Sequence, residues 1–364
     1  MKIIGMMSGT SLDGVDAVLA EYDVKTFGWR LCAHAVAPLP AALKETLFQL
    51  NFPSRLANEL HVAKVAEHQL THCYASAYQT LVSQLPATDC QALAGIAAHG
   101  QTIRHAPNIT TPYTLQLLNG ALLSQLTRQT VVCDFRSRDI ASGGQGAPLA
   151  PLFHRELFKA QPPFAVVNIG GISNISVLDP TVASGFDCGP GNGLLDEWIG
   201  QHHGKAYDHN AHWARQGRVL EPLLARLLSD AYFRAPAPKS TGRDYFHLAW
   251  LAGHLTGDER PEDVMRTLVA LSAKAIADCV PSAVQTLIVV GGGAKNPLLM
   301  ADLATCLPNR AVKSSEVYGI DAQHVEALGF AMLGRSALLG EAVDTTRITG
   351  AKKPVVLGAI YPSS

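Results

Sequence analysis

Residues 7–16 read MSGTSLDGVD, set between the apolar runs KIIGM and VDAVLA. Two short apolar runs around a cluster of Gly, Ser and Thr predict strand, tight turn, strand. A turn built from Ser8, Gly9, Thr10, Ser11, Asp13 and Gly14 offers backbone N–H groups and hydroxyls without bulk, which suits a polyphosphate. Gly9 and Gly14 stand five apart, as in a Walker loop, but Val15 and Asp16 follow where Lys and Ser/Thr belong. The stretch is therefore not a P-loop. Alone, it fits a polar hairpin turn equally well.

The chain has 364 residues, 48% of them hydrophobic, enough for two domains with sizeable cores. A net charge of −1 removes any general attraction to nucleic acid or anionic membrane. Seven cysteines, an odd number without C-x-x-C spacing, read as reduced thiols of a cytosolic protein. No signal or transit peptide and no apolar run of membrane-spanning length are expected.

Strands are expected at Lys2–Met6, Val15–Glu21, Leu93–Ala98, Thr130–Asp134, Phe164–Ile169, Asn174–Leu178 and Thr286–Val290. Helical periodicity covers His61–Val82, Pro261–Val280 and Ala322–Leu339. Alternating strands and helices predict an α/β fold, with antiparallel edges from the opening hairpin and from the Phe164–Leu178 pair. A domain boundary is expected near Gly120–Gln129, dividing the chain into 1–125 and 126–364. Ala235–Lys239, APAPK, reads as a surface loop. No internal repeat is visible.

Three further loops bear on the first. Residues 168–174, NIGGISN, end an apolar strand and offer Asn168, Gly170 and Gly171 to a phosphate. Residues 186–196, FDCGPGNGLLD, open a helix. There the turn of Gly189, Gly191 and Asn192 is expected to hold the Asp187 carboxylate beside exposed amides, suited to deprotonating or orienting a nucleophile. A helix cap is the plain alternative for Asp187. Residues 286–296, TLIVVGGGAKN, run a strand into Gly291, Gly292 and Gly293, then Asn296, where a flat base or ribose can approach the backbone.

This order of loops resembles the actin, heat-shock chaperone and sugar kinase ATPase superfamily. The segments MSGTSLDGVDAVL, AHGQTIRH, DFRSRDIASGGQGAPLAP, NIGGISNIS, FDCGPGN, KSTGRDYF and VVGGGAKNP together resemble the 1,6-anhydro-N-acetylmuramic acid kinase family from about residue 4 to about 335. The resemblance implies a two-domain actin-like ATPase (ribonuclease H-like) fold, with a mixed sheet in each domain, an interdomain ATP and substrate cleft, and a last helix able to cross back to the first domain. It implies ATP and Mg²⁺ as cofactors, and hydrolysis of a 1,6-anhydro bridge coupled to phosphorylation of O6, in peptidoglycan recycling. Carried over by position, Gly9, Thr10, Ser11, Leu12, Asp13, Gly14, Val15 and Asp16 match the family's ATP loop, and Asp187 its catalytic base. The superfamily's first-loop Asp is Met7 here, leaving Asp13 or Asp16 as candidate partners of the metal. A cytoplasmic homodimer is implied as well, without nucleic-acid or membrane partners.

Sugar contacts are expected from His99, Gln101 and Thr102, and from Arg136 with Gly143, Gly144 and Gln145, Arg suiting the lactyl carboxylate through a bidentate pair. A strand-end loop and an Arg–Asp brace are the structural alternatives. Glu326, in an apolar helix, needs a polar partner or a cleft. KSTGRD at 239–244 reads as a closing loop or a cap. His68 and His72 share a helix face without further metal ligands. An ordinary sugar or carboxylate kinase, and an actin- or chaperone-like nucleotide switch, remain as alternative functions.

Overall fold

The computed structural model describes every residue except 10, 11, 13, 53–55, 159–162, 180–182, 238, 243, 244 and 364. Thirteen strands are described: β1 Lys2–Met7, β2 Gly14–Asp23, β3 Gly28–Pro38, β4 Leu93–Ala98, β5 Gln101–Ala106, β6 Tyr113–Leu117, β7 Val131–Cys133, β8 Phe164–Ile169, β9 Ile172–Leu178, β10 Ala183–Pro190, β11 Thr286–Val290, β12 Ala311–Ser314 and β13 Ala359–Tyr361. The chain divides into two compact units, Met1–Leu157 with His324–Ser364, and Phe158–Gln323.

The first unit carries a six-stranded sheet ordered β13-β7-β4-β1-β2-β3. Strands β1, β2 and β3 form an antiparallel meander, while β4 lies parallel to β1 and β7 parallel to β4. On one face Ile4, Met6, Leu19, Leu70, Tyr74 and Leu81 share a core, the last three supplied by helix Glu59–Val82. The other face receives helix Val325–Leu338 at very short range. A Cβ on Gly5 of β1 would overlap the Ala327 carbonyl, and one on Gly334 of the helix would overlap Ala97 of β4. Both faces of β1 are thus covered, which is why its sequence is a continuous apolar run instead of an alternating one.

The second unit repeats the plan. Its sheet is ordered β10-β9-β8-β11-β12, with β8, β9 and β10 an antiparallel meander and β11 and β12 parallel to β8. Its core includes Val167, Ile169, Leu268, Leu271, Ile276, Leu287 and Val289, four strand residues and three from helix Pro261–Cys279. The first five strands of each sheet therefore share one topology, though no sequence repeat announces it. The β1–β2 turn and the β8–β9 turn occupy equivalent places.

Two expectations shift. The break near 125 lies inside the first unit, because β7, with Val131 and Val132 fully buried, completes that unit's sheet. Helix Val325–Leu338 is part of the first unit. Of the segment 186–196, residues 186–190 belong to edge strand β10, with a register shift between Asp187 and Gly189, and the expected helix follows as Gly193–His203.

Candidate functional site

In the second unit, three loops meet at adjacent strand ends, because Asn168 of β8 pairs with Val290 of β11 and Ile169 with Ser173 of β9. The β8–β9 turn is welded to the segment after β10. The amides of Gly191 and Gly193 donate to the Gly171 carbonyl, both at 3.0 Å, and that of Asn192 to the Gly170 carbonyl at 2.7 Å. A Cβ on Gly191 would overlap the Gly170 carbonyl. The amides expected to face a phosphate at 191 and 192 are therefore spent inside the protein. The amides of Gly170 and Gly171 make no backbone hydrogen bond to another described residue. These two N–H groups, both at half-buried residues, are what this corner offers an anion.

The glycine triplet divides in the same way. A Cβ on Gly291 would overlap Asn168 Oδ1, and one on Gly293 would overlap Ile169, so both glycines serve close packing. Gly292 is exposed, and a Cβ on it would meet Asn192 Nδ2 at 3.5 Å, ordinary van der Waals contact. It alone of the three presents open backbone. Asn296 is a helix cap: its Oδ1 accepts from the amides of Leu298 and Leu299, both at 3.1 Å. Gly189 is buried against Phe233.

Asp187 sits on β10, a strand residue instead of a turn residue. Its amide donates to the Lys239 carbonyl at 2.9 Å, and its carbonyl accepts from the Tyr232 hydroxyl at 2.7 Å. Its Oδ2 accepts from the Thr241 amide at 3.0 Å, while Oδ1 accepts from no described residue. Burial pushes its carboxyl up to about 6, against the pull of the Thr241 amide. Lys239, Thr241 and Tyr232 were not singled out by the sequence as supports for Asp187; KSTGRD was its only signal. The support is itself braced. Asp230 accepts from the Tyr232 amide, the Tyr245 hydroxyl and the Trp250 indole at 2.8, 2.9 and 2.9 Å. The Lys239 ammonium caps the Tyr232 and Phe233 carbonyls.

In the first unit, Thr10, Ser11 and Asp13 lie outside the described residues. Of the remaining loop, Leu12 and Val15 are buried apolar residues, and Gly14 packs against the Ala37 carbonyl. Ser8 is not free: its hydroxyl meets the Tyr74 hydroxyl at 2.9 Å and donates to the Gly100 carbonyl at 3.2 Å. Gly9 and Asp16 remain partly exposed.

Beside this turn lies a polar cluster. Arg136 donates from Nε to His99 Nε2 at 3.0 Å and from Nη1 to the Gly146 carbonyl at 2.8 Å. Burial lowers its guanidinium to about 10, opposed by the nearby Glu326 and Asp139 carboxylates. Glu326 is pushed up by burial, drawn down by Arg136 and pushed up again by Asp16, so these three charges share one neighbourhood. Gln101 is buried, and its Oε1 has no partner among the described residues. Thr102 is occupied, its hydroxyl accepting from Gln116 Nε2 at 3.1 Å.

The segment 143–145 is turned to another task. The amide of Gln145 donates to the Thr349 carbonyl at 2.9 Å, and a Cβ on Gly144 would overlap Asp139. Asp139, fully buried, accepts from the Gly146 amide and from the Thr345 and Thr349 hydroxyls at 2.7, 2.5 and 2.8 Å. Gly143, Gly144 and Gln145 thus anchor the C-terminal segment. Among the described residues no group of three metal-ligating side chains occurs, His68 and His72 included.

The sequence model of the anhydro-N-acetylmuramic acid kinase family matches residues 1–363. The anhydro-N-acetylmuramic acid kinase of Nitrosomonas europaea is 45% identical over all of both chains. That of Cupriavidus pinatubonensis is 48% identical over 99% of this chain and 98% of its own. A solved structure described as a xyloylose kinase from Brucella ovis covers 100% of this chain and 95% of its own at a TM-score of 0.52 and 13% identity, a likeness of fold.

Proposed function

Because the chain belongs to the anhydro-N-acetylmuramic acid kinase family, a family of phosphotransferases, we propose that it opens 1,6-anhydro-N-acetylmuramic acid with water while phosphorylating O6 from ATP. The products are N-acetylmuramic acid 6-phosphate and ADP, and the reaction belongs to peptidoglycan recycling. The observation that carries the residue assignment is the Asp187 carboxylate, one oxygen held by the Thr241 amide and the other without a partner among the described residues.

In the anhydro sugar, O6 is tied to C1. Water attacks C1 and gives its proton to Asp187 Oδ1. The C1–O6 bond breaks, and O6 takes the γ-phosphoryl group as the bond to the ADP oxygen breaks. A base near 6 is ionised at neutral pH yet basic enough to accept that proton. Phosphorylation turns a poor leaving oxygen into a good one, so positioning and charge neutralisation supply most of the acceleration.

We assign the amides of Gly170 and Gly171 to the phosphates, the open backbone at Gly292 to the adenosine, and the first loop around Gly9 to the same nucleotide. Arg136 takes the lactyl carboxylate, with Gln101 and Glu326 facing the sugar's polar groups. Asp16, a partly exposed hard oxygen ligand, suits Mg²⁺, which when bound neutralises phosphate charge. On the family resemblance we further propose a cytoplasmic homodimer without nucleic-acid or membrane partners.

The test is ADP release with the anhydro sugar in ¹⁸O-labelled water, with mass spectrometry of the sugar product. Label at C1 of a 6-phosphate supports the coupled reaction. Unlabelled phosphorylation of a free hydroxyl makes this an ordinary sugar kinase. Slow ATP hydrolysis indifferent to sugar overturns both.

A further inference from the structure

We propose that His99 does not contact the sugar but is a positioning residue, fixing the Arg136 guanidinium for the sugar's carboxylate. The inference rests on the assignment of that carboxylate to Arg136. His99 Nδ1 lies 2.9 Å from the Gly100 carbonyl, which can only accept, so Nδ1 carries the ring proton. Nε2 is then a lone pair, and it accepts the Arg136 Nε proton at 3.0 Å. Both ring nitrogens are spent, and none is left for a substrate.

The ring is also fixed in place. It is buried and packs on Phe330 at 4.6 Å between centroids. Its backbone amide donates to the Met6 carbonyl, and the Gly100 carbonyl it engages is held from the other side by Ser8. Burial and the neighbouring guanidinium both oppose a second proton on the imidazole.

The consequence falls on Arg136. With Nε on His99 and one Nη1 proton on Gly146, the side chain is anchored at two atoms. Nη2 and the other Nη1 proton have no partner among the described residues. Those are the donors that a carboxylate takes in a bidentate pair. A free arginine would have to give up rotamer entropy to form that pair, and His99 has already removed most of it.

The experiment compares His99→Phe, His99→Gln and Arg136→Leu on two substrates, 1,6-anhydro-N-acetylmuramic acid and 1,6-anhydro-N-acetylglucosamine, which lacks the lactyl carboxylate. Phe keeps the ring packing and removes both nitrogens. Gln restores an acceptor. We expect His99→Phe to raise KM for the carboxylated sugar about 10–100-fold, the loss of one charged hydrogen-bonded pair, with a much smaller change for the other sugar and in kcat. His99→Gln recovers most of the loss. If Arg136→Leu erases the preference for the carboxylated sugar and His99→Phe leaves it intact, positioning by His99 is overturned while the Arg136 assignment stands. If neither variant changes the preference, the Arg136 assignment falls and the inference with it. Equal losses on both sugars also overturn it. A readout on the unmutated protein is ¹⁵N NMR of labelled histidines, where His99 should show a proton on Nδ1 and a bare Nε2. A proton on Nε2 contradicts the inference even if the variants fail to fold.

Discussion

Replacing Asp187 by Asn should lower turnover and raise stability at once. The carboxyl is lifted from 3.8 to about 6 in the folded chain, chiefly by burial. Below about pH 3 it is protonated in both folded and unfolded chains and carries no penalty. Between about pH 4 and 6 the unfolded chain ionises this carboxyl while the fold still holds its proton, so stability falls across that window, and above 6 the full penalty of a buried carboxylate remains. A shift of about two units corresponds to roughly 3 kcal/mol of destabilisation at pH 8. Asn keeps an acceptor for the Thr241 amide at similar volume and carries no charge. Asp187→Asn should therefore gain up to about 3 kcal/mol against urea at pH 8, with the gain gone at about pH 3. Its turnover in a coupled ADP-release assay should fall by about 10²–10⁴. A urea midpoint unchanged or lowered at pH 8 would refute the claim that this carboxylate is held against its solvation. Turnover kept within a few-fold would place the base elsewhere.

Thr241→Pro removes the amide that steadies the Asp187 carboxylate, so the acid limb of kcat/KM should move above 6 by about one unit; a limb that stays put argues that another group titrates there. Asp139→Asn leaves the Gly146 amide and two threonine hydroxyls facing one acceptor instead of two, and should cost about 2–4 kcal/mol in urea unfolding. Gly293→Ala should cost about 1–3 kcal/mol because its Cβ meets Ile169, whereas Gly292→Ala should leave stability within about 0.5 kcal/mol and raise KM for ATP. Equal stability losses for the two glycine variants would contradict the packing account.

Local chemistry was legible where it was strictly local. The runs at Leu93–Ala98, Phe164–Ile169 and Thr286–Val290 coincide with β4, β8 and β11, since continuous apolar segments ended by polar or glycine residues have few other uses. Strand β3 was not seen, because an outer strand mixes Arg30 and His34 with half-buried neighbours. β10 was not seen because Gly185, Asp187 and Gly189 look like a turn, and only pairing with β9 makes them a strand. The glycines at 191, 291 and 293 admit another stretch of protein, a use that the sequence pattern does not distinguish from an opening for a ligand. The domain division escaped because its determinants lie far apart in sequence, as with Gly5 against Ala327. The links from His99 to Arg136 and from Asp139 to Thr345 and Thr349 are invisible for the same reason.

Helix Val325–Leu338 closing on β1 has a consequence for synthesis. Gly5 leaves the ribosome long before Ala327, whose backbone fills the notch above it. At about 5–20 residues per second, the opening sheet waits on the order of tens of seconds with one face uncovered. Residues 158–323, which form their own core, can fold in that interval. The nascent chain should therefore ripen from its middle outward, and the half-finished sheet, with Ile3 and Gly5 bare, is the species a cellular holdase would meet.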